Sequence, residues 1–308
     1  MNLNLFKVVA SISLLMVTSC KKGTVASDIQ ETGQQLGDVM ASIDDTGGSG
    51  GAIASFQTAP ANEIESSKRT ISRLDSLEDS FDLNAFFRVK SAEAARCAVV
   101  NTYNACSSSG VITRTFGDCT VGTATFSGTV TYTWSVPASG CVLTAGANIT
   151  RVPNFTVTGR RGATLTVTKS AINGQVLTHT TGTGNSRVFT LTSDGIRRVF
   201  TTPSNTALFD YTTTVTSPIT ITGPDRANRT ITGGTIRVKN NLSTVTCDYT
   251  PSNVAWSSSC NCAISGNWSG TCSDGKNTSL VLDSCGTGTL TVGTESETIS
   301  FDRCSATS

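Results

Sequence analysis

Charge is what this sequence has least of. Charged residues fill 15% of its 308 positions and the formal net charge is +1, against roughly 25% charged residues in average proteins. A nucleic-acid partner would leave a basic stripe, so that class is set aside. Histidine occurs once, as His179 in the segment LTHTTG. Alone among threonines, it reads as structural rather than catalytic. No GxSxG elbow is present, the one GxSxG match being the glycine run Gly47 to Gly51; P-loop and HExxH patterns are missing, and the carboxylates after Cys97 are isolated rather than paired. Neither a Ser-His-Asp nor a two-carboxylate mechanism can then be placed, so the sequence reads as a non-enzyme with no cofactor. A membrane-spanning helix needs about 20 apolar residues, and no run here is that long.

What is present begins at the N-terminus. Lys7 supplies a positive charge, Val8 to Val17 form a short apolar core, and Ser19 is a small residue placed before Cys20. That order is a secretory signal. The run VTSC at Val17 to Cys20 resembles the lipobox of bacterial lipoproteins, a likeness confined to residues 1–20. It implies cleavage before Cys20, a diacylglycerol on the Cys20 thiol, and a membrane partner held by two or three acyl chains, enough for durable attachment. Lys21, rather than Asp, after that cysteine resembles lipoproteins forwarded to the outer membrane. The expected location is therefore the cell envelope, on a leaflet the sequence does not choose.

Ten further cysteines follow: Cys97, Cys106, Cys119, Cys141, Cys247, Cys260, Cys262, Cys272, Cys285 and Cys304. An even number in an exported chain reads as a disulfide framework. Their spacing is not CxxC…CxxC and no histidine is near, so no metal site is expected. Cys260 and Cys262 are two apart, point to one face of an extended strand, and should take different partners, with Cys247 and Cys272 the nearest candidates. A terminal hairpin turning between Thr294 and Glu295 would set Leu290 opposite Ile299 and Cys285 opposite Cys304, giving a Cys285–Cys304 bridge.

Composition changes near Cys97. Residues 20–96 hold 12 acidic and 8 basic side chains and read as a flexible tether with short helices. Ile29, Leu36, Val39, Met40 and Ile43 recur at helical spacing after the capping candidate Ser27, ended by Gly47 to Gly51; Ile71, Leu74, Leu77 and Phe81 make a second such face. Residues 97–308 switch to alternation, as in ATLTVTK at Ala163 to Lys169 and the Thr–apolar run Thr123 to Trp134. About a dozen strands fit. Two hairpins are expected, one turning at Ser193, Asp194 and Gly195 and one at Gly233 and Gly234. The fold class is thus mainly β, a disulfide-rich, antiparallel, sandwich-like region, either single or split near residues 223–229.

Function is less legible. Arg160, Arg161, Arg197 and Arg198 are expected as solvated strand ends, and Trp134, Trp256, Trp268, Tyr211 and Tyr249 are either core residues or platforms for sugar rings. The triplets at Asn148, Asn154, Asn228, Asn241, Asn267 and Asn277 match NxS or NxT, which frequent threonine explains without glycosylation. A threonine-rich, weakly charged surface suits a polar partner, protein or glycan. The alternatives are a structural envelope protein without a ligand, or an enzyme with an unfamiliar site around His179. If the lipobox reading holds, Cys20→Ser releases the protein from membranes in fractionation, and the wild type carries acyl mass at Cys20. A variant that stays membrane-bound, with no acyl mass on the wild type, contradicts it.

Overall fold

The computed structural model describes residues 23–47, 99–102, 110–121, 124–134, 144–301, 304 and 306. Cys20, Cys97, Cys106, Cys141 and the expected second helix around Ile71 to Phe81 lie outside these residues, as does the side chain of Cys119.

Alternating threonine and apolar residues give fourteen strands among the described residues. They are β1 (Val99–Thr102), β2 (Gly110–Val121), β3 (Ala124–Trp134), β4 (Asn148–Gly159), β5 (Thr164–Lys169), β6 (Gln175–Thr181) and β7 (Val188–Thr201), then β8 (Ala207–Thr222), β9 (Thr230–Asn240), β10 (Thr246–Trp256), β11 (Ala263–Cys272), β12 (Asn277–Ser284), β13 (Thr287–Val292) and β14 (Glu295–Ser300). All pairings are antiparallel, and the strands lie in chain order within one sheet, as the β-rich, antiparallel expectation required. β5 and β6 occupy one slot end to end, between β4 and β7. Their break, Ser170 to Gly174, lies beside Pro153 of β4, which has no N–H to donate across it.

Neither expected hairpin is a turn. Ser193 to Gly195 form a bulge inside β7, and Gly233 and Gly234 lie inside β9. Gly195 and Gly234 both have positive φ, 146° and 107°, which suits bulges as well as turns. A Cβ on Gly234 would come within 2.5 Å of the Ile219 Cα and the Pro218 oxygen, so glycine permits β9 to close on β8 there. The β5–β6 break, the β7 bulge, the irregular pairing at Thr216 to Pro218 and the Gly233–Gly234 step follow one another across adjacent strands. Bulges bend and twist a strand, and this seam bends the sheet. The sheet also runs without a split across residues 223–229, because Thr222 pairs with Thr230 on the far side of that turn. Buried Arg229 pins the turn, donating to the Pro224 oxygen at 2.6 Å and lying 5.6 Å from the Trp256 ring.

Inside the bend lies a single described helix, α1 (Gly23–Gly47). It packs against β4, β6, β8, β9, β13 and β14, so the sheet curls around it. Residues 23–47 were expected in the tether; they form the centre of the fold instead, and Ser27 lies within the helix rather than at its cap. Ile29, Leu36, Val39, Met40 and Ile43 are all buried as the spacing predicts, yet so are Glu31, Gln34 and Gln35 on the other side. Burying an aliphatic side chain contributes about 1.5–3 kcal/mol, an upper bound for a chain already partly compact. Five of them outweigh the several kcal/mol that polar burial costs, which is why a helix with one apolar stripe can still be swallowed whole.

Disulfides close the far end of the sheet. Cys247 bonds Cys272 directly across β10 and β11. Cys260 bonds Cys285 and Cys262 bonds Cys304. Cys260 and Cys262 do take different partners, but not Cys247 or Cys272, and the expected Cys285–Cys304 bridge is absent. The reason is register: Gly288 faces Ile299 and Val292 faces Glu295, so the turn lies at Gly293 and Thr294, two residues out of the expected alignment. A two-residue slip keeps the same face, and Leu290, Ile299 and Phe301 remain buried, but it carries Cys304 past Cys285. The Cys262 and Cys304 sulfurs instead lie 4.0 Å from the Gly37 carbonyl oxygen of α1.

Gly33 and Gly37 are where α1 touches β14. A Cβ on Gly33 would sit 1.9 Å from Ile299 Cδ1, and one on Gly37 2.7 Å from the Phe301 ring. Helix propensity alone favours alanine over glycine by about 1 kcal/mol. Overpacking a filled core costs about 1–3 kcal/mol. Gly37→Ala therefore lowers the urea unfolding midpoint by the equivalent of up to about 2 kcal/mol; a raised midpoint would mean that α1 is an exposed helix.

Candidate functional site

Two regions carry chemistry. The first is a buried polar seam between α1 and the sheet. Along β7, Phe189, Leu191 and Ser193 are buried while Thr192 and Asp194 are exposed; after the bulge, Ile196 and Arg198 are buried and Arg197 is exposed. The extra bulge residue shifts the alternation by one, turning Arg198 inward. Arg198 was expected at a solvated strand end, yet its side chain is 3% exposed, with Nη1 donating to Asp38 Oδ2 at 2.5 Å and Nε 3.2 Å from Glu31 Oε1. Arg197, facing out, pairs with Asp210 instead. Asp194, in the bulge, accepts from Asn173 and so ties the β5–β6 break to β7.

Further polar pairs extend the seam. Gln35 donates to Glu31 at 2.5 Å and accepts from Thr213 at 2.7 Å, while Arg151 donates to Gln175 at 2.7 Å. Gln30 and Gln34 both donate to the Ser300 carbonyl at the end of β14. A cavity of about 20 Å³ lies between Gln35, Asp38, Arg151, Gln175 and Thr213. That is room for roughly one water and too little for an organic ligand. Burial pushes the Glu31 carboxyl up to about 7, against the pull of Arg198 and the Gln35 hydrogen bond and with the push of Asp38.

The second region is the outer face. Thr120, Thr125, Thr158, Thr164 and Thr201 face one another in turn across β2, β3, β4, β5 and β7. A parallel row holds Ser127, Thr156 and Thr166, and the next holds Thr115, Thr129, Asn154 and Thr168, ending at the Arg197–Asp210 pair. Strand geometry spaces these groups about 4.8 Å across strands and about 6.7 Å along them. Hydroxyls meet at 2.6 Å between Thr164 and Thr201, 3.3 Å between Thr120 and Thr125, and 3.4 Å between Thr156 and Thr166. The sequence's threonine alternation foretold such a face; the rows needed the register.

Other candidates fall in the core. His179 is buried against Phe189 at 5.1 Å between centroids, with Nε2 at 2.9 and 3.2 Å from the Thr181 and Gly182 carbonyl oxygens. Trp256, Trp268, Tyr211 and Tyr249 are buried, so none of these four can stack on a sugar; the side chain of Trp134 lies outside the described residues. Tyr249 bonds Thr278 at 2.9 Å, and burial pushes its phenol up to about 12. Among the described residues, no cluster of three His, Cys, Asp or Glu side chains could hold a metal. Sequence reasoning missed Glu31, Asp38, Arg151 and Gln175, since no local pattern brings them together. Against protein-family models, curated proteins and solved structures, the chain matches nothing.

The Glu31 environment fixes a pH dependence. Its carboxyl titrates near 4.5 unfolded and about 7 folded, so between those values the folded protein holds a proton that the unfolded chain has released. Stability from this group is complete below about 4.5 and is lost as pH rises through about 7. Glu31→Gln cannot titrate. Between pH 5 and pH 8, chemical denaturation should show the wild type losing about 2–3 kcal/mol relative to Glu31→Gln. A constant difference between the two would contradict this assignment.

Proposed function

We propose that this protein is a lipid-anchored component of the cell envelope whose β domain is a binding module rather than an enzyme, with its threonine-rich outer face as the contact surface. The row Thr120, Thr125, Thr158, Thr164 and Thr201 carries this reading, because register, not composition alone, aligns five hydroxyls across five strands. Such a face offers donors and acceptors without charge, and it suits a partner rich in hydroxyl or amide groups. Burial of four of the five aromatic candidates favours flat polar contact over ring stacking. The VTSC segment supports the anchor, and Lys21 supports an outer-membrane destination.

A structural role without a ligand is the second reading, favoured by the three disulfides within residues 247–304. The two separate on one experiment. Cross-linked pull-down of the intact lipidated protein should capture a specific species. A Thr156→Lys variant, which adds charge to the outer rows on one strand only, should lose it by about tenfold while staying membrane-bound with little change in melting temperature. Equal capture by both proteins overturns the outer face as the contact surface, and no capture by either favours the structural reading.

A further inference from the structure

The burial of α1 changes where the β domain sits. A flexible tether of some 75 residues would let it range far from the membrane. But α1 begins at Gly23 and is buried in the sheet from Ile29 onward. Only Lys21 and Lys22 separate Cys20 from the helix. Three residue steps span at most about 10 Å when fully extended. The six helical steps from Gly23 to Ile29 add about 9 Å. The first buried residue of the domain is therefore within about 20 Å of the Cys20 Cα, whatever the conformation of the residues between.

We infer that the β domain is seated against the bilayer surface, with the end of the domain at which α1 begins turned toward the lipid headgroups. This rests on acylation of Cys20, the anchor half of the proposed function. Lys21 and Lys22 put two positive charges at that end, and the N-terminus of α1 adds a partial one, complementary to headgroup phosphates. Distance and charge name the same partner, a phospholipid surface. The long segment after α1 then connects two parts of one folded domain, helix to sheet, and is not a spacer between membrane and domain. A partner of the outer face must come to the membrane, because the domain cannot reach away from it while α1 stays in place.

Neutron reflectometry on the purified lipidated protein in a supported phospholipid bilayer tests this. Protein density should begin within about 20 Å of the headgroups, and inserting a 30-residue Gly/Ser linker between Lys22 and Gly23 should open a water-rich layer of roughly 30 Å, the coil dimension of such a linker. A wild-type layer held well beyond 20 Å overturns the seating while leaving the anchor intact, and a profile unchanged by the insertion overturns the short chain from Cys20 to α1 as what seats the domain. Loss of the wild-type protein on rinsing, with no acyl mass at Cys20, overturns the anchor and the seating together.

Discussion

Everything central to this fold depends on where Arg198 points. A guanidinium with 3% side-chain exposure is tolerable only when its charge is met, and Glu31 and Asp38 meet it from α1. Buried ion pairs contribute little net stability, yet removing one partner costs about 3–5 kcal/mol. The triad therefore specifies more than it stabilises: α1 must enter in the one orientation that brings both carboxylates to the same arginine. The apolar stripe of Leu36, Val39, Met40 and Ile43 supplies the driving force; the Arg198 contacts on one side and the close approach at Gly33 and Gly37 on the other fix the rotation.

Arg198 points inward because of backbone geometry three to five residues earlier. Strict alternation through β7 would bury Arg197 and expose Arg198. The Ser193 to Gly195 bulge reverses this, and the same bulge belongs to the seam that bends the sheet around the helix. The device that makes room for α1 also aims the residue that fixes it. At the other side, Gly33 and Gly37 let the helix approach Ile299 and Phe301, and the Cys262–Cys304 bridge lies under Gly37. That bridge closes 42 residues of sequence, worth about 4 kcal/mol by chain entropy, and it holds the segment after β14 where the helix needs a wall.

The parts of this arrangement legible in the sequence were those written in local periods. Two-residue alternation gave the strands, and the 3.6-residue spacing from Ile29 to Ile43 gave the helix and its buried stripe. What failed was non-local. Ser-Asp-Gly and Gly-Gly carry the same backbone freedom whether they turn a chain or bulge a strand, and only the neighbouring strands decide between them. Cys285 and Cys304 were separated by a register slip of two, which leaves every side chain on its expected face and so is invisible to a pattern argument. Glu31 and Asp38 carried no local signal because their partner lies 160 or more residues away.

Two surfaces follow from this architecture, and they are of opposite kinds. The interior packs polar groups of α1 and the sheet around a cavity of about 20 Å³, whereas the outward face carries rows of hydroxyls. Helix insertion is the claim on which the cavity, the charge triad and the membrane seating all depend. Hydrogen exchange read by mass spectrometry measures it directly: a helix inside a sheet opens only with the domain, whereas a tether helix frays on its own. The amides of residues 29–43 should exchange as slowly as those of β8 and β13. Full exchange of that segment within seconds, while the strands stay protected, would contradict the account.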